Sequence, residues 1–281
     1  MRRRATIRGG LAATLALGAA GLVACGGNDL PGPDPATVTP DDAQIFVDAV
    51  HPGSEETDEA REALGILTGN DDPGGFVIEQ LDELLADQGT GVTYEADIEP
   101  WLGERAGLYV GELSDGSDPD VGLMVAVTDE GAAQETVDKL NEAGDAVTTE
   151  EEYEGVSYSL SDEDMAVGFV DDFLVVGTRN AFEATVDAST GDPLADDEDY
   201  SELVGQADGD RLVTAYVEAR SLLMDAVTAG AAEEADVMGF LELLPENGSI
   251  VAWGAATADA VTVELTSAAG DDPTDGGSEL L

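Results

Sequence analysis

Apolar residues recur along this chain at two periods. Ala43-Gln44-Ile45-Phe46-Val47-Asp48-Ala49 reads as a short strand. Ser54 is placed to cap a helix carrying Ala60, Ala63, Leu64 and Leu67 at helical spacing. Gly69 to Gly75 interrupts the pattern, and a second helix follows with Val77, Leu81, Leu84 and Leu85 on one face. Gly107–Leu113 and Val121–Val127 read as two strands of a hairpin joined by the acidic loop Ser114–Asp120. Asp129 caps a helix that turns Ala133, Val137 and Leu140 inward. Val156, Tyr158 and Leu160 alternate with serines, the mark of a half-buried strand. Met165–Val170 and Phe173–Val176 flank a tight turn at Asp171-Asp172. Asn180, with Glu183 three residues on, has the spacing of a capping box that opens another helix.

The order then repeats in shorter form. Leu212–Ala219 echoes the first strand, and two helices follow, the second marked by Val237, Phe240, Leu241 and Leu244 and ended by Pro245. Asn247-Gly248 makes a turn before strands Ile250–Ala255 and Val261–Leu265. The expected fold class is α+β, with largely antiparallel sheets and helices, built by internal duplication of a strand–helix–helix–strand–strand unit. A first unit would span residues 41–200 and a shorter second unit 201–269, sharing one sheet or forming two lobes.

The ends of the chain read differently. Arg2, Arg3, Arg4 and Arg8 precede an apolar run from Gly9 to Ala24. At 16 residues the run is shorter than the ~20 a membrane-spanning helix needs. It has the layout of a signal peptide over residues 1–24. The run ends in Leu22-Val23-Ala24-Cys25, which resembles the lipobox of bacterial lipoproteins. That resemblance implies cleavage before Cys25 and lipid attachment to its thiol. Two or more acyl chains make a stable anchor, where one would be marginal. The expected location is therefore the outer face of the cell membrane, with the membrane as partner through the lipid. Arg3-Arg4 leaves the export route open between the general and twin-arginine systems. Residues 25–40, with Pro31, Pro33, Pro35 and Pro40, read as an extended tether able to span roughly 45 Å. Residues 270–281 read as a disordered acidic tail.

Charge narrows the possible partners. The chain carries 62 acidic residues against ten Lys and Arg; loss of the four signal arginines leaves a net charge of −56. Lys139 is its single lysine. Six scattered cations cannot form a phosphate-binding surface, which argues against nucleic acid. The same charge is repelled by anionic lipid, so membrane attachment needs the covalent anchor. The acids are spread along the chain, a pattern suited to high salt, where screening relieves self-repulsion.

A further resemblance sits at Asp97-Ile98-Glu99-Pro100-Trp101-Leu102-Gly103-Glu104-Arg105-Ala106-Gly107-Leu108. This segment is similar to one in the bacterial family of unknown function DUF3352. Similar too are the early strand after Asp41-Asp42-Ala43, the Val127-Thr128-Asp129 strand end, Tyr153-Glu154-Gly155-Val156 and the Phe169–Gly177 hairpin. The likeness covers roughly residues 41–220 and more loosely the rest. It implies a surface or secreted protein, often actinobacterial, and carries over no catalytic residue. Trp101, between Pro100 and Leu102-Gly103, is expected to plug the core at a turn.

Catalytic chemistry finds little to stand on. His51 is the single histidine, and no Gly-x-Ser-x-Gly elbow supplies a nucleophile for a Ser-His-Asp site. One histidine and a lipidated cysteine leave no zinc set. Calcium takes oxygen ligands, and the loops Asp115–Asp120 and Asp196–Asp199 offer them without EF-hand spacing. No catalytic, cofactor or metal residue is assigned, and Cys25 is the one site residue named. The leading expectation is a non-catalytic binding or scaffolding lipoprotein of the envelope. The alternatives are a carrier of a lipid or other apolar ligand, which requires an apolar cavity, and a hydrolase working through carboxylates alone.

Overall fold

The computed structural model describes residues 30, 32–50, 73–87, 89–111, 119–143, 148–206, 212–228, 248–257 and 260–267. Ten strands build one continuous antiparallel sheet in the order β10-β9-β8-β1-β2-β3-β7-β6-β5-β4. They are β1 Ile45–Val50, β2 Leu102–Val110, β3 Val121–Val127, β4 Thr148–Tyr153, β5 Val156–Ser161, β6 Met165–Val170, β7 Phe173–Thr178, β8 Val213–Glu218, β9 Ser249–Thr257 and β10 Ala260–Ser267. The α+β class with antiparallel pairing holds. The stretches expected as two units meet through β1 and β8, so all ten strands share one sheet rather than forming two lobes. Outward from that seam the strands run β1-β2-β3 on one side and β8-β9-β10 on the other. Phe46 and Tyr216, the aromatic residues of the two similar strands, lie opposite each other.

Helices α1 Pro73–Asp87 and α2 Glu130–Ala143 cover one face of the sheet, and α3 Arg179–Thr190 and α4 Glu198–Gly205 cover the other. A fifth helix, α5 Ala219–Thr228, follows β8 directly. On the first face Leu85, Ala133, Val137 and Leu140 pack against Leu174 and Val176. On the second, Phe182, Val186, Leu194 and Leu203 pack against Phe46, Met124, Phe173 and Val175. Strand β7 is buried along five of its six positions because both faces are covered there. This explains its unbroken apolar run.

Several elements depart from the sequence reading. Strand β2 begins at Leu102, not Gly107, so charged Glu104 and Arg105 lie inside it. Helix α1 already begins at Pro73, a residue suited to a first turn, within the stretch read as a break. Leu84 of that helix is exposed while Leu85 is buried. Helix α3 is capped by Thr178, whose hydroxyl accepts from the Ala181 N–H; Asn180 is inside the first turn and its amide donates to Asp120. Strand β4 and helix α4 have no counterpart in the apolar pattern. Strand β4 forms one edge of the sheet and carries Glu150, Glu151 and Glu152, charges that discourage pairing with another chain.

The tether expectation is corrected over its second half. From Asp34 the chain is part of the fold. Pro35–Thr37 form a 3-10 turn, and Ala36, Val38 and Thr39 are fully buried. Apolar burial and local hydrogen bonds fix a segment whose proline content alone suggests an extended linker. The stretch expected as a signal peptide, Cys25, the stretches expected as helices at Ala60 to Leu67 and at Val237 to Leu244, and residues 270–281 lie outside the described residues.

Candidate functional site

Two clusters of polar groups are built into the sheet, and one acidic cleft lies on its surface. The first cluster surrounds Trp101. Tyr94–Ile98 form a π-helical turn that leads into Pro100 and Trp101. The indole is buried and its N–H donates to the Asp97 carbonyl, at 2.6 Å, and to the Thr136 hydroxyl of α2, at 3.0 Å. The Trp101 carbonyl accepts from both the N–H and the hydroxyl of Thr128. Gly103 follows because a side chain there would sit 2.7 Å from the Ala126 Cβ and 2.8 Å from its carbonyl oxygen. The Pro-Trp-Leu-Gly segment is thus a fastening of the π turn onto β3 and α2. Trp101 acts as the core plug its neighbours imply.

Asp97 ties the same turn to α2 electrostatically. Its carboxylate accepts from the Thr93 N–H at 2.9 Å and from Lys139 at 2.6 Å. The lysine hydrogen bond, then the backbone N–H, hold this carboxyl below its ordinary value. A depressed folded value contributes stability that is complete above the unfolded carboxylate range. That stability is lost as pH falls through the folded value. Lys139→Gln is expected to raise the apparent pKa of Asp97 in a carbon-detected NMR titration. It should also flatten the acid limb of the stability profile.

The second cluster surrounds Arg105. Its guanidinium is buried in β2 and grips Asp48 of β1 with two hydrogen bonds, from Nε at 3.2 Å and from a terminal nitrogen. The same terminal nitrogen donates to Asp34 at 3.0 Å. Asp48 is itself buried, whereas the Asp34 side chain is 45% exposed. Although burial alone disfavours the cation, the two carboxylates outweigh it and raise the guanidinium's pKa further. Asp34 also accepts from the Ala36 N–H, so one carboxylate caps the 3-10 turn and binds the arginine. Sequence reading missed this trio because Asp34 and Asp48 are 71 and 57 residues from Arg105.

The cleft has a volume of about 380 Å³ and is lined by Asp41, Asp192, Pro193, Asp196, Asp197, Glu198 and Asp199. Asp197 is committed to capping α4, accepting from the Tyr200 N–H at 2.7 Å. The cleft gathers the Asp196–Asp199 calcium candidate with Asp192 close by in sequence and Asp41 far from it. The apolar chamber required by a carrier has the opposite lining. Of the other calcium candidate, Asp120 is described; its carboxylate accepts from Thr178 and Asn180. Among the described residues no group of three or more acids, histidines or cysteines is arranged to share a metal ion. His51 and Cys25 lie outside the described residues. No described helix is long and apolar enough to cross a membrane.

Comparison with known proteins gives one match. A family model described as a protein of unknown function, DUF3352, matches residues 76–250, more than half of the 281-residue chain. The match starts within α1 and ends at the beginning of β9, so it takes in the Trp101 cluster and Arg105 itself but not β1 with Asp48, nor Asp34. No curated protein and no solved structure matches.

Proposed function

This chain belongs to the DUF3352 family of proteins of unknown function, and within it we propose a non-catalytic binding or scaffolding module of the bacterial envelope, held by lipid on Cys25. The observation that carries this reading is the way the chain enters the fold. The segment that follows the expected anchor is clamped near the middle of a ten-stranded sheet by Arg105. A tethered module needs its anchor-side chain to meet the sheet at a defined place. The polar groups gathered in the sheet serve the same end: Trp101, Asp97 and Thr136 fasten one turn, and Arg105 and Asp34 another. The internal duplication fits the mirrored strand order on either side of the β1–β8 seam.

Detergent phase partition of wild type and Cys25→Ala, made in an exporting bacterial host, tests the anchor. Wild type is expected in the detergent phase and the variant in the aqueous phase; wild type in the aqueous phase overturns lipid attachment. Native mass spectrometry of the Cys25→Ala protein tests the scaffold reading. A mass equal to the bare chain is expected. An excess removed by organic extraction would replace it with an apolar carrier.

A further inference from the structure

We propose that Gly32–Ala43 is a releasable strap, latched by Asp34 to Arg105, whose opening lengthens the tether while the sheet stays folded. The lengthening rests on the lipid anchor proposed above; the opening does not.

The strap packs small side chains into the core cluster of Phe46 and Phe173, but its hydrogen bonding is largely its own. Most of its hydrogen bonds are internal: the Thr37 N–H and hydroxyl donate to the Asp34 carbonyl, and the Val38 N–H and Thr39 hydroxyl to the Pro35 carbonyl. Among the described residues its polar links outward are the Asp34–Arg105 ion pair and the bond from the Leu194 N–H to the Thr39 carbonyl, at 2.8 Å, which forms the bridge between Pro40 and Pro193. The apolar side chains it buries are small: Pro35, Ala36, Val38, Pro40 and Ala43. Pro35 lies directly over Gly107 of β2, where a Cβ would come within 2.5 Å of the proline's own.

Arg105 makes opening feasible. Removing one partner from a buried ion pair normally strands a charge in the interior. Here Asp48 keeps its two hydrogen bonds to Arg105 when Asp34 leaves. The half-exposed Asp34 returns to water, where a carboxylate is well solvated. The strap can therefore detach as a local unit below the threshold of global unfolding. Released and extended, it spans roughly 35 Å in all between the preceding chain and β1, more than its turn-bearing closed form.

Native-state hydrogen exchange on the full chain, wild type and Cys25→Ala, tests the opening. The amides of Thr37, Val38 and Ala43, with Leu194, should exchange together and faster than the β1–β2 ladder. Asp34→Asn removes the ion pair and weakens the cap, and should accelerate this group about tenfold. Pro35→Ala, which trims the ring packed over Gly107 from the strap side, should do the same without touching a charge. Neither should change exchange in the ladder. Strap amides that exchange only with the ladder, or variants that accelerate both equally, would overturn the proposal. Exchange reads the opening and detergent partition reads the anchor, so failure of either is distinguishable.

Discussion

Replacing Arg105 with alanine is expected to destabilise the fold by about 3–5 kcal/mol. The cost arises from what remains: Asp48, almost wholly buried in β1, loses two charge-assisted hydrogen bonds to Arg105 at once. Urea denaturation is the suitable measurement, since a charged denaturant would screen the effect being tested. Asp34→Ala should cost far less, because that partner faces solvent. Arg105→Met combined with Asp48→Leu should recover much of the loss, as apolar side chains of similar volume often replace a buried pair at little cost. A midpoint unchanged by Arg105→Ala would mean that Asp48 is neutral in the folded protein or reached by water. The graded set separates charge burial from simple loss of packing.

The contrast between the two clusters shows what a sequence exposes. Trp101 was legible because its determinants are local: proline before it, leucine and glycine after it, a strand following. Arg105 was not, because inside a strand a charged residue breaks the alternation by which strands are recognised, and its partners come from two distant segments. The same reasoning accounts for the strap. Prolines and acids between residues 31 and 42 have a linker's composition, and only the neighbouring sheet shows that Ala36 and Val38 have somewhere to be buried. Strand β4 was invisible because an edge strand with both flanks in water needs no apolar side. Where both faces are covered, as at β6 and β7, the apolar runs and the Asp171-Asp172 turn placed the elements closely.

The acidic cleft belongs to the same lesson. Asp196–Asp199 read as a loop, yet Asp197 is the cap of α4 and the apolar residues Tyr200 and Leu203 beyond it are buried. A short amphipathic helix with two inward residues leaves too little periodicity to distinguish it from its acidic surroundings. The carboxylates at its start suit the positive end of the helix dipole. Part of the cleft's charge thus has a structural origin, in the capping and first turn of α4.

Trp101→Ala is expected to cost about 3–5 kcal/mol, in the range for deleting a large buried aromatic side chain. The indole fills the space between the π turn, α2 and β3, among Ile98, Ala133, Val137 and Val127. Its N–H also satisfies the Asp97 carbonyl and the Thr136 hydroxyl. Trp101→Phe separates the two contributions. Phenylalanine keeps most of the apolar area but donates nothing, and the Asp97 carbonyl retains the Thr136 hydroxyl as donor. That variant should lose only about 1–3 kcal/mol. If packing dominates, the alanine variant should also raise exchange of the Thr93 amide and return the Asp97 carboxyl toward its ordinary value, because the turn that presents it to Lys139 would loosen. A Trp101→Ala protein as stable as wild type, with Asp97 unmoved, would show that the π turn is held by Thr136 and Lys139 alone.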